Sequence, residues 1–375
     1  MKRITVTACS ITEWGGGEQV LLNTLLSLKE RSVKPLIVSD HTTLIRLAES
    51  LGIDRDVLGS CEITGNPLRG IKPLNEKTFL LLPANFLRKA LLFYKITNSD
   101  TIFYYKPTEL LFLSPLKSSY NVIYAHSDRL LTFRSMIKIY DDLLTRVFSE
   151  YLKNIDLIVF NSRYTQSIAE TSFKRMRSVV IYPPVNTRKL KFLRWRDKGD
   201  VVATVGRFDP DKGYEDVVSA ARRLPDVKFH IMGFVNNARN LLYYEKIKRM
   251  APSNVVLLKN ATREVVTKTL SEAKVYLHAA RKEFFGISVV EAMASGCIPV
   301  IYKDGGPWYD ICCEGRYCVG WGDVDEMVEA IRNLISEGDL SSYSEEVRRR
   351  ASEFDSVTFR EEIVNVLING YNNTS

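Results

Sequence analysis

The sequence predicts an α/β protein with two doubly wound domains, and three observations support this prediction. The chain has 375 residues, which at roughly 150 residues per domain is enough for two domains with full cores. Its composition, 45% apolar and 26% charged, is that of an ordinary soluble globular protein. Strand-like apolar runs alternate with amphipathic helical patterns, as they do in the βαβ units of a parallel sheet.

The alternation is clearest from residue 201 onward, where short β-rich runs are separated by longer amphipathic segments. The predicted strands are Val201–Val205, Lys228–Ile231, Val255–Leu258, Val275–Leu277 and Pro299–Tyr302. The predicted helices are Tyr214–Arg223, Leu241–Met250, Arg263–Glu272, Ile287–Ser295 and Asp325–Ile335.

The first half follows the same pattern less clearly, and residues 59–98 cannot be assigned. We expect the two domains to join within the basic, proline-containing stretch Tyr182–Lys198. The predicted strands are Ile4–Ala8, Pro35–Val38, Thr101–Tyr105, Asn121–Ala125 and Leu157–Phe160, and the predicted helices are Glu18–Leu28 and Met136–Leu152.

Several features favour a cytoplasmic protein. The most apolar segment, Phe79–Ile96, is interrupted by Pro83 and by Arg88 and Lys89, so we expect no membrane-spanning helix. The first residues lack the long apolar stretch of a signal peptide. The six cysteines show no CxxC spacing, so we expect neither a zinc site nor a disulfide framework.

The charge distribution is uneven. Residues 1–200 contain 30 basic and 19 acidic residues, whereas residues 201–375 contain 22 and 25, so the first half accounts for the net charge of +8. A basic surface can meet nucleic acid, an anionic membrane or a phosphate-bearing substrate, or it can simply be solvated. No nucleic-acid recognition motif is present. Phe79–Ile96 has the composition of an interfacial helix, so we expect peripheral contact with an anionic membrane, although a core helix fits equally well.

Ligands of open α/β sheets bind at the carboxyl ends of strands. Arg207 and Lys212, in the segment Gly206–Gly213, follow a predicted strand and precede a predicted helix, as a pair that clamps a diphosphate would. An ordinary turn with surface charges is equally compatible with the spacing.

A second candidate segment runs from Arg281 to Gly296. Glu283 lies in the loop after a predicted strand, and Glu291 lies in the helix that follows. Free amides near Gly286–Ser288 would face a phosphate at the start of this helix. Glu291 points from an apolar helix face, where ribose hydroxyls or backbone amides would satisfy its carboxylate.

Two weaker signals come from the first half. The run Trp14–Glu18 supplies bare glycine backbone after the first strand, and His126 ends the strand Asn121–Ala125, where it could bond a substrate hydroxyl. A flexible turn and a structural histidine are the alternatives.

Together, these residues resemble the retaining glycosyltransferases of family 4, which have the GT-B fold of two doubly wound Rossmann-like domains facing each other across a cleft. The most specific parts are Gly206-Arg207 with Lys212-Gly213 and the pair Glu283/Glu291. The variant Glu-Phe-Phe-Gly-Ile, the Gly-Gly-Gly-Glu opening and a following Gly-Gly-Pro are closest to the α-1,2-mannosyltransferase type that extends dolichol-linked oligosaccharides. The supporting motifs are Gly15–Glu18, His126, Asn161-Ser162 and Tyr182–Asn186.

The resemblance implies domain limits. Residues 1–190 would form the acceptor-side domain, residues 198–356 the nucleotide-sugar domain, and a C-terminal helix at about residues 357–375, centred on Val357–Leu367, would pack back on the first domain.

The resemblance also implies roles on the donor side. Arg207 and Lys212 would hold the diphosphate, Glu291 would bind the ribose hydroxyls, and the backbone of Gly16 and Gly17 would approach a phosphate or sugar. Such enzymes need neither a cofactor nor a metal ion, because side chains and a helix dipole stabilise the leaving diphosphate.

Around the reacting sugar, the resemblance implies that Glu283 contacts the transferred hexose beside the amides of Phe285, Gly286 and Ile287. His126 would reach a hydroxyl of the same sugar. Phe284 stands where many relatives have glycine, which predicts an altered sugar pocket.

The expected function is therefore transfer of a hexose, with mannose from GDP-mannose as the leading donor, to a polyprenyl-linked or other glycan on the cytoplasmic face of a membrane. Transfer from a UDP-sugar to a soluble or protein-bound acceptor is the alternative, since backbone groups around Lys259–Thr262 would read the base. A GT-B-like epimerase or phosphorylase is the alternative of another class.

Overall fold

In the computed structural model, residues 2–8, 16–39, 61–64, 98–111, 115–127, 150–169 and 176–370 are described. The chain divides into two compact units. The N-terminal unit contains Met1–Asn161, Thr165–Pro183 and Phe359–Ser375, and the C-terminal unit contains Ser162–Tyr164 and Pro184–Thr358.

The N-terminal unit is built on a parallel sheet with the strand order β3-β2-β1-β4-β5-β6-β7. The chain winds outward from β1 to one side and from β4 to the other, so the order reverses between these two strands, as in a doubly wound fold. The strands are β1 (Ile4–Ala8), β2 (Leu36–Ser39), β3 (Glu62–Thr64), β4 (Thr101–Tyr104), β5 (Tyr120–Ala125), β6 (Leu157–Phe160) and β7 (Ser178–Val180).

Among the described residues, α1 (Gly16–Glu30) and the C-terminal α9 (Ser356–Asn369) cover one face of this sheet. Phe359, Ile363 and Leu367 of α9 belong to the same buried cluster as the apolar side of α1. The Thr101 hydroxyl donates to the Leu367 carbonyl at 3.1 Å. A second buried cluster fills the opposite face, and because both faces are covered, β1, β2 and β4 are buried along their whole length.

The C-terminal unit contains a second parallel sheet with the order β10-β9-β8-β11-β12-β13. Its order reverses between β8 and β11, which defines the topological switch point of this unit. The strands are β8 (Gly199–Arg207), β9 (Lys228–Phe234), β10 (Val255–Lys259), β11 (Ala273–His278), β12 (Ile298–Tyr302) and β13 (Val319–Trp321).

Helices connect these strands and bury their apolar faces against the sheet. Side-chain caps fix several of the helix starts: Thr262 caps α5 and Asp323 caps α7 by accepting backbone N–H bonds. The helices are α3 (Tyr214–Arg223), α4 (Ala238–Met250), α5 (Arg263–Glu272), α6 (Ile287–Ala294), α7 (Val324–Ser336) and α8 (Ser341–Ala351); the short α2 (Arg163–Ile168) follows β6.

The start of α2 is fixed by a buried carboxylate of the C-terminal unit. Asp310 is 4% exposed and accepts from the backbone amides of Arg163 at 2.7 Å and Tyr164 at 2.9 Å. The ring of Tyr164 also stacks on that of Tyr309. These bonds explain why three residues just after β6 belong to the C-terminal unit.

A buried lysine links two helix ends of the C-terminal unit. Lys198 precedes β8, is 6% exposed, and donates to the carbonyls of Ser271 at 2.7 Å, Ser295 at 2.8 Å and Ala273 at 3.1 Å. Its three ammonium protons therefore satisfy carbonyls at the C-terminal ends of α5 and α6.

The fold class predicted from the sequence is confirmed, and the differences lie in individual elements. Helices α3 and α5 have the predicted limits, whereas β7, β13 and α8 were not predicted. The unit boundary falls at Pro183–Pro184, just before the predicted end of the first domain at residue 190, and the residues of α9 from Phe359 onward belong to the N-terminal unit.

Some predictions lie outside the described residues. These include most of the helix Met136–Leu152, the interfacial segment Phe79–Ile96 and nearly all of residues 59–98. Within the described ranges, every helix is too short or too polar to cross a membrane.

Candidate active site

The carboxyl ends of β8 and β11 flank the switch point of the C-terminal sheet, and the loops that follow them contain most of the predicted donor residues. Arg207 ends β8, and Lys212 lies in the turn before α3. Glu283 lies in the loop between β11 and α6. The structure thus places the two predicted segments at adjacent strand ends of one sheet.

Lys212 and Glu283 form a close ion pair. The ammonium of Lys212 lies 2.8 Å from Oε2 of Glu283, and both side chains are about four-fifths buried. Burial favours the neutral form of Glu283, but the Lys212 charge, with hydrogen bonds from Lys212 and the Phe284 amide, outweighs it and lowers the pKa of this carboxyl to about 2. Burial alone would lower the pKa of Lys212, but the negative charge of Glu283 outweighs this effect and raises it. Both groups are therefore charged throughout the neutral range.

His278 was not predicted as a site residue, yet it lies behind this pair. Its Nε2 is 3.8 Å from Oε2 of Glu283, and the residue is 4% exposed at the end of β11. Burial lowers the pKa of His278 to about 4, against the opposing effect of Glu283. At neutral pH the imidazole is uncharged, so Lys212 supplies the positive charge next to Glu283. The position of His278 at the end of a strand was the only signal for it in the sequence.

The backbone around Glu283 is packed too closely for side chains. A Cβ atom on Gly306 would lie 2.1 Å from the Phe284 carbonyl oxygen, and one on Gly305 would lie 2.8 Å from that of Glu283. The Gly306 amide donates to the Glu283 carbonyl at 2.8 Å. The buried Ser162 hydroxyl donates to the Phe284 carbonyl at 2.7 Å. These contacts hold the loop from two sides.

Gly286 caps α6 with a φ of +95°, which lets the chain turn sharply from the Glu283 loop into the helix. Phe285 is buried and packs edge-to-face against Phe354. Ile287 is the first residue of α6. The predicted amide group therefore lies at a helix N-terminus, where the dipole favours an anion.

Glu291 is satisfied by a partner that was not predicted. Its side chain is 6% exposed and lies 2.7 Å from the guanidinium of Arg263, whose side chain is about half exposed. The ion pair replaces the backbone amides considered from the sequence. Arg263 follows the N-cap of α5, directly after the segment Lys259–Thr262 that was predicted to read the base.

The N-terminal unit gathers its own predicted residues at the carboxyl ends of β1, β4 and β5. A Cβ atom on Gly17 would lie 2.7 Å from Cε of Lys106 and 3.5 Å from Cε1 of His126. Gly16 is exposed at the start of α1. Lys106 also pairs with the buried Glu18 at 2.6 Å. Gly17 and His126, far apart in sequence, thus meet with Lys106, which had not been singled out.

The protonation of His126 follows from its surroundings. Its Nε2 lies 2.8 Å from the Tyr105 carbonyl, which can only accept, so Nε2 carries the proton. Burial, reinforced by the charge of Lys106, lowers the pKa of His126 to about 4. In this neutral tautomer Nδ1 has a lone pair, and the ring can accept a hydrogen bond from a hydroxyl group.

A family comparison identifies the part of the chain that contains the Lys212–Glu283 and Arg263–Glu291 pairs. Residues 185–353 match the family model described as "Glycosyl transferases group 1". This part of the chain resembles a group 1 glycosyltransferase domain. The matched residues cover most of the C-terminal unit, from just after its start at Pro184 to the end of α8.

Curated relatives extend this result. The chain is similar to the GDP-Man:Man(3)GlcNAc(2)-PP-Dol alpha-1,2-mannosyltransferase of Candida glabrata, with 25% identity over 46% of this chain and 38% of that protein. The human enzyme of the same name is 27% identical over 42% of this chain and 36% of its own length. The matches thus span well under half of these relatives.

Solved structures resemble the whole chain. Anabaena HepE in complex with UDP and glucose has a TM-score of 0.73 at 18% identity, covering 98% of this chain and 99% of that one. Sucrose-phosphate synthase from Thermosynechococcus elongatus has a TM-score of 0.73 at 15% identity, covering 98% of each chain. These likenesses establish the GT-B fold class of the protein.

Proposed function

We propose that this protein is a retaining glycosyltransferase that moves mannose from GDP-mannose to a polyprenyl-linked glycan. The observation that carries the proposal is the Lys212–Glu283 pair at the switch point of a group 1 glycosyltransferase domain, next to the N-terminus of α6. The GDP-mannose donor and the lipid-linked acceptor are suggested by the name of the curated relatives.

The charges in this unit suit a nucleotide diphosphate. Arg207 is exposed at the end of β8, and its charge opposes protonation of Lys212, so the two cations lie close enough to act on one anion. The amides at the start of α6 add a third source of positive potential. Negative charge that develops on the leaving diphosphate would be stabilised by groups already in place, which lowers the barrier to transfer.

Glu283 and Glu291 would orient the two sugars of the donor. Glu283 is ionised and anchored by Lys212, so its carboxylate can accept hydrogen bonds from hydroxyls of the hexose. Glu291 is held by Arg263 and can accept from the ribose hydroxyls with its remaining lone pairs. In the N-terminal unit, neutral His126 can accept a hydrogen bond from a sugar hydroxyl.

A UDP-sugar donor is the second candidate. It is favoured by the likeness to a structure solved with UDP and glucose, which covers 98% of this chain. Base recognition by backbone groups around Lys259–Thr262 would permit either nucleotide.

A donor screen tests the proposal. The purified protein is incubated with radiolabelled GDP- and UDP-sugars and a polyprenyl diphosphate oligosaccharide, and the lipid extract is counted. We expect label from GDP-mannose in the lipid fraction, with the anomeric configuration of the donor retained. Label only from a UDP-sugar, or only in soluble products, would favour the second candidate; hydrolysis or epimerisation without transfer would refute both.

Three variants then assign the site. Arg207→Ala, Lys212→Ala and Glu291→Ala should each lower kcat/KM about ten- to a hundredfold, the usual effect of losing one charge-assisted contact. Arg223→Ala is the matched control, because this exposed arginine pairs with Asp325 on the surface. Wild-type turnover in all three site variants would refute the assignment.

The same charges predict that the reaction requires no metal ion, since cationic side chains and a helix N-terminus would neutralise the diphosphate. Transfer should continue at its full rate in excess EDTA. Loss of activity in EDTA, restored by Mg²⁺ or Mn²⁺, would contradict this part of the proposal.

A further inference from the structure

The carboxyl edge of the C-terminal sheet has an exposed apolar rim next to the donor site. Phe234 ends β9, the strand that pairs with β8, and it is 40% exposed. Leu241 and Leu242, in the first turns of α4, are 42% and 73% exposed. We call Phe234, Leu241 and Leu242 the apolar rim.

The packing of α4 shows why the two leucines face water. The helix buries Asn240, Tyr243, Tyr244 and Ile247 against the sheet, which is the 3–4 spacing of one helical face. Leu241 and Leu242 lie on the other side, so they contribute little to the core. Solvent exposure of large adjacent side chains is a mark of an interaction surface.

The rim is tied to the donor loop. Asp209, two residues after Arg207, pairs with Arg239 at 3.1 Å and accepts weakly from Asn240, both in the first turn of α4. The N-terminal end of α4 therefore lies at the same edge of the sheet as the predicted diphosphate site.

The exposed side of α4 is apolar near the start of the helix and basic near its end. Beyond the leucines it carries Lys246, Lys248 and Arg249. The helix also contains Arg239 and one acidic residue, Glu245, so its net charge is +3. Residues 201–375 as a whole have a net charge of −3, so this helix is a basic surface in an acidic half. Lys246 is paired with Glu215, whereas Lys248 and Arg249 are exposed at the C-terminal end of the helix.

The apolar and basic zones of α4 can contact a bilayer surface together. The basic residues follow Leu242 by four to seven positions, or about 6–11 Å along the axis at 1.5 Å per residue. An interfacial helix lies in the plane of the membrane and buries its apolar side chains about 5–10 Å deep, at the boundary of head groups and acyl chains. Leu241 and Leu242 lie seven residues before Lys248 and Arg249 and therefore on the same face of α4. With that face against the membrane, the leucines would reach the boundary while Lys248 and Arg249 meet the lipid phosphates.

We propose that the apolar rim docks the C-terminal unit on an anionic phospholipid bilayer. The proposal deepens the proposed function and rests on it, because an acceptor with a polyprenyl tail stays in the membrane while its glycan must reach the donor site. The rim places that site at the membrane surface. It is separate from the membrane contact predicted for Phe79–Ile96, which belongs to the other unit.

Vesicle sedimentation without donor or acceptor tests the docking by itself. The full chain is mixed with vesicles of phosphatidylcholine alone or with phosphatidylserine. We expect binding to the anionic vesicles that weakens as NaCl rises from 50 to 500 mM. Leu241→Ser with Leu242→Ser should lower the partition coefficient at least tenfold, because two exposed leucines lose their transfer into the interface. Lys248→Gln with Arg249→Gln should lower it severalfold and flatten the salt dependence.

Val256→Thr is the matched control. Val256 is 41% exposed, close to the 42% of Leu241, but it lies near the start of β10, away from the carboxyl edge. This variant should bind vesicles like the wild type. Circular dichroism should show the same fold in all variants, since the altered side chains are exposed.

Three results would overturn the proposal: wild-type protein that binds neither vesicle, serine variants that partition like the wild type, or a wild-type dimer that the serine variants convert to a monomer. The last would make the rim an interface between copies. Vesicle binding by a protein that transfers no sugar would refute the proposed function alone, and transfer without vesicle binding would refute only the docking.

Discussion

Lys198→Met should destabilise the C-terminal unit because it removes the shared donor of three buried carbonyls. Each hydrogen bond to a charged group contributes about 1.5–3 kcal/mol net. The substitution also removes the cost of keeping an ammonium buried, which offsets several kcal/mol of the sum. The three bonds of 2.7, 2.8 and 3.1 Å thus leave a net loss of about 2–4 kcal/mol. For a domain of this size, that lowers Tm by about 4–15 °C.

Urea and thermal unfolding, followed by tryptophan fluorescence, measure this loss. Trp195, Trp308 and Trp321 belong to the C-terminal unit, so the signal reports mainly on it. Lys268→Met is the control: this side chain is 69% exposed on α5 and should change stability by less than about 0.5 kcal/mol. If Lys198→Met unfolded within 0.5 kcal/mol of the wild type, the carbonyl contacts would contribute no net stability, and the reasoning would be wrong.

Three further predictions concern the site. Arg263→Gln should raise the donor KM about tenfold with a smaller change in kcat, because the guanidinium orients Glu291. Arg263→Lys should restore most of the loss. An unchanged KM in the glutamine variant would contradict this role. The depressed pKa of Glu283 contributes stability above its ordinary pKa of about 4.5 that is lost as pH falls towards 2. Glu283→Gln should therefore be less stable than the wild type by up to ~3 kcal/mol between pH 5 and 8 in urea unfolding, and the difference should vanish near pH 2. Gly306→Ala should displace the Glu283 loop and lower kcat more than tenfold in the transfer assay, whereas Gly338→Ala, which has open space around its Cβ, should not.

The elements that could be predicted from sequence are those with a strong local pattern. Helix α3 is amphipathic and starts after the Pro-Asp-Lys-Gly turn, so its limits were correct. Strands β7 and β13 are three residues long, too short for any periodicity to appear. Helix α8 has a polar sequence with only a few buried positions, so its pattern resembled a solvated loop.

In the candidate site, too, some residues could be located from the sequence and others could not. Glycines and charged residues that follow strands could be located, because topology puts strand ends at one edge. Arg263, the partner of Glu291, could not be located, because it lies on another helix and carries no motif. His278 could not be located either, because it carries no motif although it is close to Glu283 in sequence. Lys198 was counted with a run of basic residues, and nothing in that run indicates that this one lysine is buried among carbonyls.

The division of the chain between the two units has a consequence for synthesis. The apolar face of the N-terminal unit is completed by Phe359, Ile363 and Leu367, which are almost fully buried. Between Pro183 and these residues, the ribosome must make the 175 residues Pro184–Thr358. At about 5–20 residues per second this takes roughly 9–35 s. The unit that begins first therefore finishes last, and its uncovered face is a natural target for a chaperone until the final helix emerges.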